Sequence, residues 1–171
     1  VWQYETSILL FPAVLYSIVF CLETGIIEEF IFRGFLLNFF KHRYSVFVGV
    51  LVSSTVFALL HFSGFHKNFP WYLSILSSAA AGLLFAQAYL LFNNLYLPIG
   101  LHAGWHLAMR MLGSTGLDVN ESILMVTVTD GPVAFVSTKE GGAGIFELAG
   151  LVTVSLILFA LREFKRLKAQ S

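Results

Sequence analysis

Long unbroken apolar runs, rather than alternating apolar and polar positions, organise this chain. Five can be marked, over residues 7–40, 45–62, 71–92, 97–113 and 145–161. Runs of that length predict helices, because a half-buried strand would alternate every second residue. A perpendicular membrane crossing needs ~20 apolar residues. The first run is too long for one crossing, so Pro12 or Gly25 is expected to break or bend it. Lys41-His42-Arg43, residues 63–70 and Asn93-Asn94 read as short connections. Residues 114–144 read as a longer loop ending in the run KEGGAG. No internal repeat or low-complexity segment is visible, and residues 1–171 read as one domain. The chain begins at Val1, without a signal-peptide pattern, and an amino-terminal portion beyond it is expected.

Composition identifies the solvent. The chain is 57% hydrophobic and 12% charged, with a mean hydropathy of +0.81. Soluble domains carry about 25% charged residues. Between Ser45 and Leu101 the one formally charged side chain is Lys67. The reading is an all-α, polytopic transmembrane helix bundle, an integral multi-pass protein of the plasma or inner membrane whose immediate partner is the lipid bilayer. A net charge of zero argues against a nucleic-acid partner. The single cysteine, Cys21, allows no internal disulfide.

Charge also suggests an orientation. The Lys41/Arg43 turn and the tail with Arg162, Lys165, Arg166 and Lys168 fall on one side if runs two to five each cross once. The long loop, with Asp118, Glu121, Asp130 and Glu140 against Lys139, falls on the other. Lys and Arg favour the cytoplasmic side, which places the carboxyl terminus in the cytoplasm.

Against this background the first run contains EEFIFRG, Glu28 to Gly34. A centrally placed charge costs roughly 2.5–3.5 kcal/mol on insertion scales and marks a functional site by default. Glu29 and Arg33 stand four apart, acid first, the favourable order for a helical ion pair. Glu28 is rotated ~100° from Glu29. The second run ends in FALLH, with Phe57 and His61 on one face, and the fourth holds HAGWH, with His102 and His106 at i and i+4. If the first two runs form a hairpin around residues 41–44, a rise of ~1.5 Å per residue places Glu28 and His61 at similar depths, about 20–24 Å from the turn. His102 lies roughly 8 Å into its run by the same rise. Straight helices therefore leave it too shallow, and a tilt or a break near Pro98 is required to bring it in.

These three motifs, in this order and on separate runs, resemble those of the CPBP family, the CAAX-processing and bacteriocin-processing intramembrane proteases also called Abi proteins. The family pattern is EExxxR, then FxxxH, then HxxxN or a variant, and the resemblance covers residues 25–107. It implies a membrane helix bundle whose motif residues converge on a cavity, and a glutamate-dependent endopeptidase that needs no cofactor and cleaves near the carboxyl terminus of a membrane-associated peptide or protein. On that resemblance Glu28 activates water, His61 positions the water and His102 donates to the oxyanion. Glu29 and Arg33 are the supporting pair. The departure is His106, which stands where Asn is usual; its imidazole N–H can donate to an oxyanion in the right tautomer.

Two alternatives stay open at this point. One is a zinc-dependent hydrolase with His102 and His106 as ligands and His61 or Glu28 as a third, leaving a position open for water. No HExxH is present. The other is a non-enzymatic immunity or transport protein using the polar cluster as an ion or proton site. His42 and His66 read as solvated, Asp118 and Asp130 as loop residues, and Glu23, Arg110 and Glu147 as interfacial. Phe30, Phe32, Phe57 and Trp105 read as packing.

Overall fold

The computed structural model describes residues 10–61, 71–111 and 145–168. The expectations for residues 62–70, including His66 and Lys67, and for the loop 114–144 with its acidic residues lie outside the described residues, as do Ser171 and the side chain of Glu147. Regular structure among the described residues is entirely helical. A rod is built from α1 (Leu10–Glu29), a π-helical segment (Phe30–Leu37) and α2 (Asn38–Arg43). It is followed by α3 (Val46–Leu60), α4 (Trp71–Phe92), α5 (Tyr96–Met111) and α6 (Ile145–Lys168).

The helix boundaries follow local chemistry. Ser45 is extended (φ −160°, ψ 164°) and its hydroxyl accepts from the Val48 amide at 3.2 Å, capping α3. Asn93 takes φ 53° beyond the end of α4. Asn is among the few side chains that tolerate this left-handed position. The Asn94 side chain then accepts from the Tyr96 amide at 3.1 Å, where α5 begins. Pro98 falls in the first turn of α5, where proline costs no hydrogen bond.

The expected break at Pro12 or Gly25 is replaced by a different irregularity. α1 runs through both residues as α-helix, Pro12 lying in its first turn. The change comes at Phe30, directly after Glu28 and Glu29, where the helix widens into π geometry. Gly25 instead allows close packing. A Cβ there would stand 3.2 Å from the Ala103 amide nitrogen and the Ile99 oxygen of α5. α6 extends past the expected end at residue 161, so the basic tail continues as helix to Lys168.

The helices alternate in direction. α3 returns along the rod, with Ser53 against Phe32 and Gly49 against Leu37. α4 runs parallel to the rod, pairing Arg33 with Gly82 and Asn38 with Tyr89. α5 runs back along α1, and α6 runs parallel to α4, with Arg162 on Gln87 and Lys165 on Leu91. Two apolar clusters hold the centre. One comprises Phe32, Phe57, Ala80, Leu84, Phe85 and Leu151; the other Leu37, Val50, Ala86 and Tyr89. Phe32 and Phe57 thus pack as expected, whereas Phe30 is 63% exposed. Large apolar side chains face outward on every long helix, among them Phe11, Phe47, Leu60, Tyr72, Tyr96 and Phe164. Among the described residues one helix, α4 over Ser74–Phe92, is long and apolar enough to cross a membrane by itself; α3 is apolar but shorter.

The two basic stretches meet at one end of the molecule. Lys41 Nζ lies 5.9 Å from the Tyr89 ring centre, and Lys165 Nζ donates to the Leu91 carbonyl at 3.3 Å. Both flank the carboxyl-terminal end of α4, where a helix favours cations.

Small residues set the closest approaches between helices. A Cβ on Gly49 would lie 2.7 Å from the Leu37 oxygen and 3.0 Å from the Lys41 nitrogen, both backbone atoms that cannot rotate away. Gly49→Ala is expected to destabilise the protein by about 1–3 kcal/mol through overpacking. Gly100→Ala, at a helical position with nothing within 4 Å of the added carbon, should be neutral or slightly stabilising. Thermal unfolding in detergent checks this; indistinguishable midpoints for the two variants would refute the packing assignment.

Candidate active site

The site forms where the end of α1, the end of α3 and the middle of α5 come together. Its foundation is a buried ion pair. Glu29 and Arg33 are both 0% exposed, and Arg33 Nη1 donates to Glu29 Oε1 at 2.6 Å. Arg33 Nη2 donates to the Gly82 carbonyl of α4 at 2.9 Å. The guanidinium also lies 4.9 Å from the Phe57 ring centre and 5.2 Å from that of Phe85, a cation–π arrangement that replaces part of its lost hydration. Glu29 Oε1 accepts a second bond, from His102 Nδ1 at 2.9 Å.

Glu28 faces elsewhere, as the rotation between neighbouring helical residues requires. Its side chain is 25% exposed. Glu28 Oε2 lies 3.2 Å from His61 Nε2 and 3.8 Å from His102 Nε2. The depth matching of Glu28 and His61 on the antiparallel rod and α3 therefore ends in contact. His102 reaches the site without a break at Pro98. α5 does not begin at the depth of the Lys41 turn, since Leu95 already lies beside Gly34, 3.5 Å from where a Cβ would stand. The Asn93–Asn94 turn has climbed back into the bundle before α5 starts, and six residues of helix bring His102 level with Glu29.

Acceptor-only partners fix the imidazole protons. His61 Nδ1 meets the Phe57 carbonyl at 2.8 Å, so Nδ1 carries the hydrogen and Nε2 is directed at Glu28. His61 Nε2 and Glu28 Oε2 are at ion-pair distance, which is attractive when the ring is protonated, but that oxygen accepts no hydrogen bond in the structure. His102 Nδ1 likewise carries its hydrogen toward Glu29, leaving Nε2 as an acceptor while the ring is neutral. His106 Nε2 lies 2.9 Å from that nitrogen and donates to it. Both histidine rings are held by aromatic faces, His61 stacked on Phe57 at 4.0 Å and His102 on Phe85 at 4.7 Å between ring centres.

All six sequence-predicted residues, Glu28, Glu29, Arg33, His61, His102 and His106, are thus brought into one connected cluster. Ligand atoms of Glu28, His61 and His102 lie within 4.8 Å of one another. Both histidines in that trio direct their second nitrogen to a carboxylate or carbonyl, the arrangement that orients metal-bound imidazoles. The donor set therefore suits a divalent metal as well as a water molecule, but its third member is Glu28, and His106 stands behind His102.

Sequence reading missed Gly82, Ser53 and Phe85. Gly82 contributes a backbone carbonyl, which leaves no mark on residue type. Ser53 Oγ donates to the Phe32 carbonyl of the π segment at 3.2 Å, and its hydroxyl in an apolar run was the one available signal. Arg110, read as interfacial, is instead 7% exposed, its guanidinium 4.3 Å from the Phe20 ring centre. His42 and Glu23 are exposed, as expected.

Comparison with known families matches residues 10–108 to the type II CAAX prenyl endopeptidase Rce1-like family. No match was found among curated proteins or among solved structures. The matched residues carry all three motifs and every member of the cluster. The family consists of membrane-embedded peptidases that act on membrane-associated peptides, and this chain belongs to it.

Proposed function

We propose that this chain is a glutamate-dependent intramembrane endopeptidase that hydrolyses a peptide bond near the carboxyl terminus of a membrane-anchored substrate. One observation carries the reading. Two adjacent carboxylates are placed differently: Glu29 is fully buried, with Oε1 bonded to both Arg33 and His102, whereas Glu28 is partly exposed and faces two imidazole nitrogens.

In this mechanism water binds beside the Glu28–His61 pair, against the partly exposed side of Glu28. Glu28 takes its proton as the oxygen attacks the scissile carbonyl. The negative charge developing on the carbonyl oxygen is met by Nε2–H of His106, turned from His102, and by His102 once its ring is protonated. Glu29, on the far side of that ring, offsets the positive charge. The protonated Glu28 then delivers its proton to the leaving amine. The catalytic unit is a single domain of several membrane crossings, in the plasma or inner membrane, with its basic end and carboxyl terminus cytoplasmic. The gathering of Lys41, Arg162 and Lys165 around the end of α4 supports that orientation.

A second reading is favoured by the metal-sized spacing of Glu28, His61 and His102. In a zinc hydrolase these three would be the ligands, with Glu29 orienting His102 through its Nδ1 and His106 displaced from Nε2, and the metal would supply an activated water.

Two experiments test these readings, the first the role of Glu28 common to both and the second the choice between them. Glu28→Gln should keep the fold and abolish cleavage of a prenylated reporter ending in a CAAX sequence. Glu29→Gln should lower stability by about 3–5 kcal/mol, because it leaves Arg33 buried with its charge unmatched. Retained cleavage in Glu28→Gln, with equal stability of the two variants, would end the assignment.

The second experiment concerns position 106. If His106 donates to the oxyanion, His106→Asn should keep substantial activity. His106→Ala should lose about 10²–10³-fold, the effect of one oxyanion donor. Cleavage rates for both variants with and without chelator decide. Activity lost to chelator and restored by added zinc would favour the metal mechanism.

A further inference from the structure

A groove of about 490 Å³ runs along the outer face of the rod, away from the catalytic cluster, lined by Gly34, Phe35, Asn38, Phe39, His42 and Arg43. Its walls are apolar and turned outward: Phe35 is 64% and Phe39 54% exposed. At ~1.5 Å per residue it extends roughly 13 Å along the helix. Its inner end lies at Gly34, on whose Cβ position Leu95 and Phe30 pack, and Asn38 fixes the floor by donating to the Gly34 carbonyl at 3.0 Å and to Tyr89 Oη at 2.7 Å.

The chemistry changes along its length. The inner part offers phenyl rings and the outer end offers His42 and Arg43. Arg43 rests 5.2 Å from the Tyr44 ring centre, and among the described residues no carboxylate pairs with it. Among the described residues the acid–base pairing at this end is internal to α6, where Glu163 takes both Arg162 and Arg166. The groove mouth therefore belongs to an end of the molecule rich in cations, and its own cation is available to an outside anion. An apolar channel leading to an unmatched guanidinium fits an amphiphile with one end apolar and the other negatively charged.

We propose that this groove binds an anionic phospholipid of the surrounding bilayer, its acyl chain along Phe35 and Phe39 and its headgroup phosphate on Arg43 and His42. A basic pocket at the cytoplasmic headgroup level is the setting in which such selectivity arises. The inference rests on membrane embedding and not on the peptidase reading.

The test uses the full chain purified in detergent, with phosphatidylglycerol or phosphatidylcholine added in equal amounts and retained lipid counted by native mass spectrometry. The wild-type protein should retain phosphatidylglycerol preferentially. Arg43→Gln should reduce that retention about fivefold, the effect of one cation at the headgroup level. Arg166→Gln removes the same charge from the same end but outside the groove and should leave retention unchanged. Phe39→Ala removes part of the exposed apolar wall and should lower retention with no change of charge. Glu28→Gln should retain lipid as the wild type does, which keeps loss of catalysis separate from loss of lipid. Equal retention of the two lipids would overturn the proposal. So would equal losses in Arg43→Gln and Arg166→Gln, which would mean diffuse surface charge, or full displacement by glycerol phosphate, which would mean a site for the free anion.

Discussion

The contact between Arg33 and Glu29 is the constraint on which the site depends. Both groups are fully buried, and each is joined to another helix. Arg33 reaches the Gly82 carbonyl of α4, and Glu29 reaches His102 of α5. One ion pair therefore ties three helices together at one depth. A buried pair of this kind contributes little net stability over an apolar replacement, because desolvation offsets most of the attraction. Its value here is positional. It fixes the rotation of the rod, and with it the direction in which Glu28 points. It also fixes the tautomer of His102, since a carboxylate can only accept.

The π-helical segment begins at the residue after Glu29. Hydrogen bonds of the i→i+5 type widen the turn and shift every following side chain around the axis relative to an α-helix. Such a segment is poorer in backbone bonding and needs outside support. Ser53 donates to the Phe32 carbonyl from α3, and Asn38 donates to the Gly34 carbonyl from within the rod. The two supports lie on either side of Arg33. The widened turn places the guanidinium where it can meet Glu29 on its own helix and Gly82 on the neighbouring one, and the flanking donors hold it there. Segments of this kind are frequent at functional sites.

Much of this was legible in the sequence. Long apolar runs gave the helices, and the boundaries of α3 and α4 follow them closely. The spacing in EEFIFRG gave the Glu29–Arg33 pair and the divergence of Glu28, because both depend on helical geometry alone. Similar distances from one turn gave the meeting of Glu28 with His61. The depth of His102 was not legible. It depends on how far the Asn93–Asn94 turn climbs before α5 starts, which is set by a left-handed residue and by packing of Leu95 on Gly34. The π segment was equally hidden, because nothing in FIFRGFLL distinguishes five-residue from four-residue hydrogen bonding. Gly82 contributes through its backbone, and backbone contributions carry no residue signature.

The proton inventory of the cluster follows from these contacts and bears on the imidazole at position 106. His102 spends its Nδ1 hydrogen on Glu29, so in its neutral form the nitrogen that faces Glu28 has none to offer. An asparagine at 106 would present an amide that donates independently of any ring. Histidine at 106 instead forms a hydrogen-bonded imidazole pair with His102, 2.9 Å between Nε2 atoms, in which one hydrogen serves two nitrogens. That hydrogen must leave His102 before it can meet an oxyanion, and a second proton is needed before both rings can donate. The pair thus couples oxyanion stabilisation to proton supply, and Glu29, held in place by Arg33, is the group that makes an added charge on His102 tolerable inside an apolar bundle.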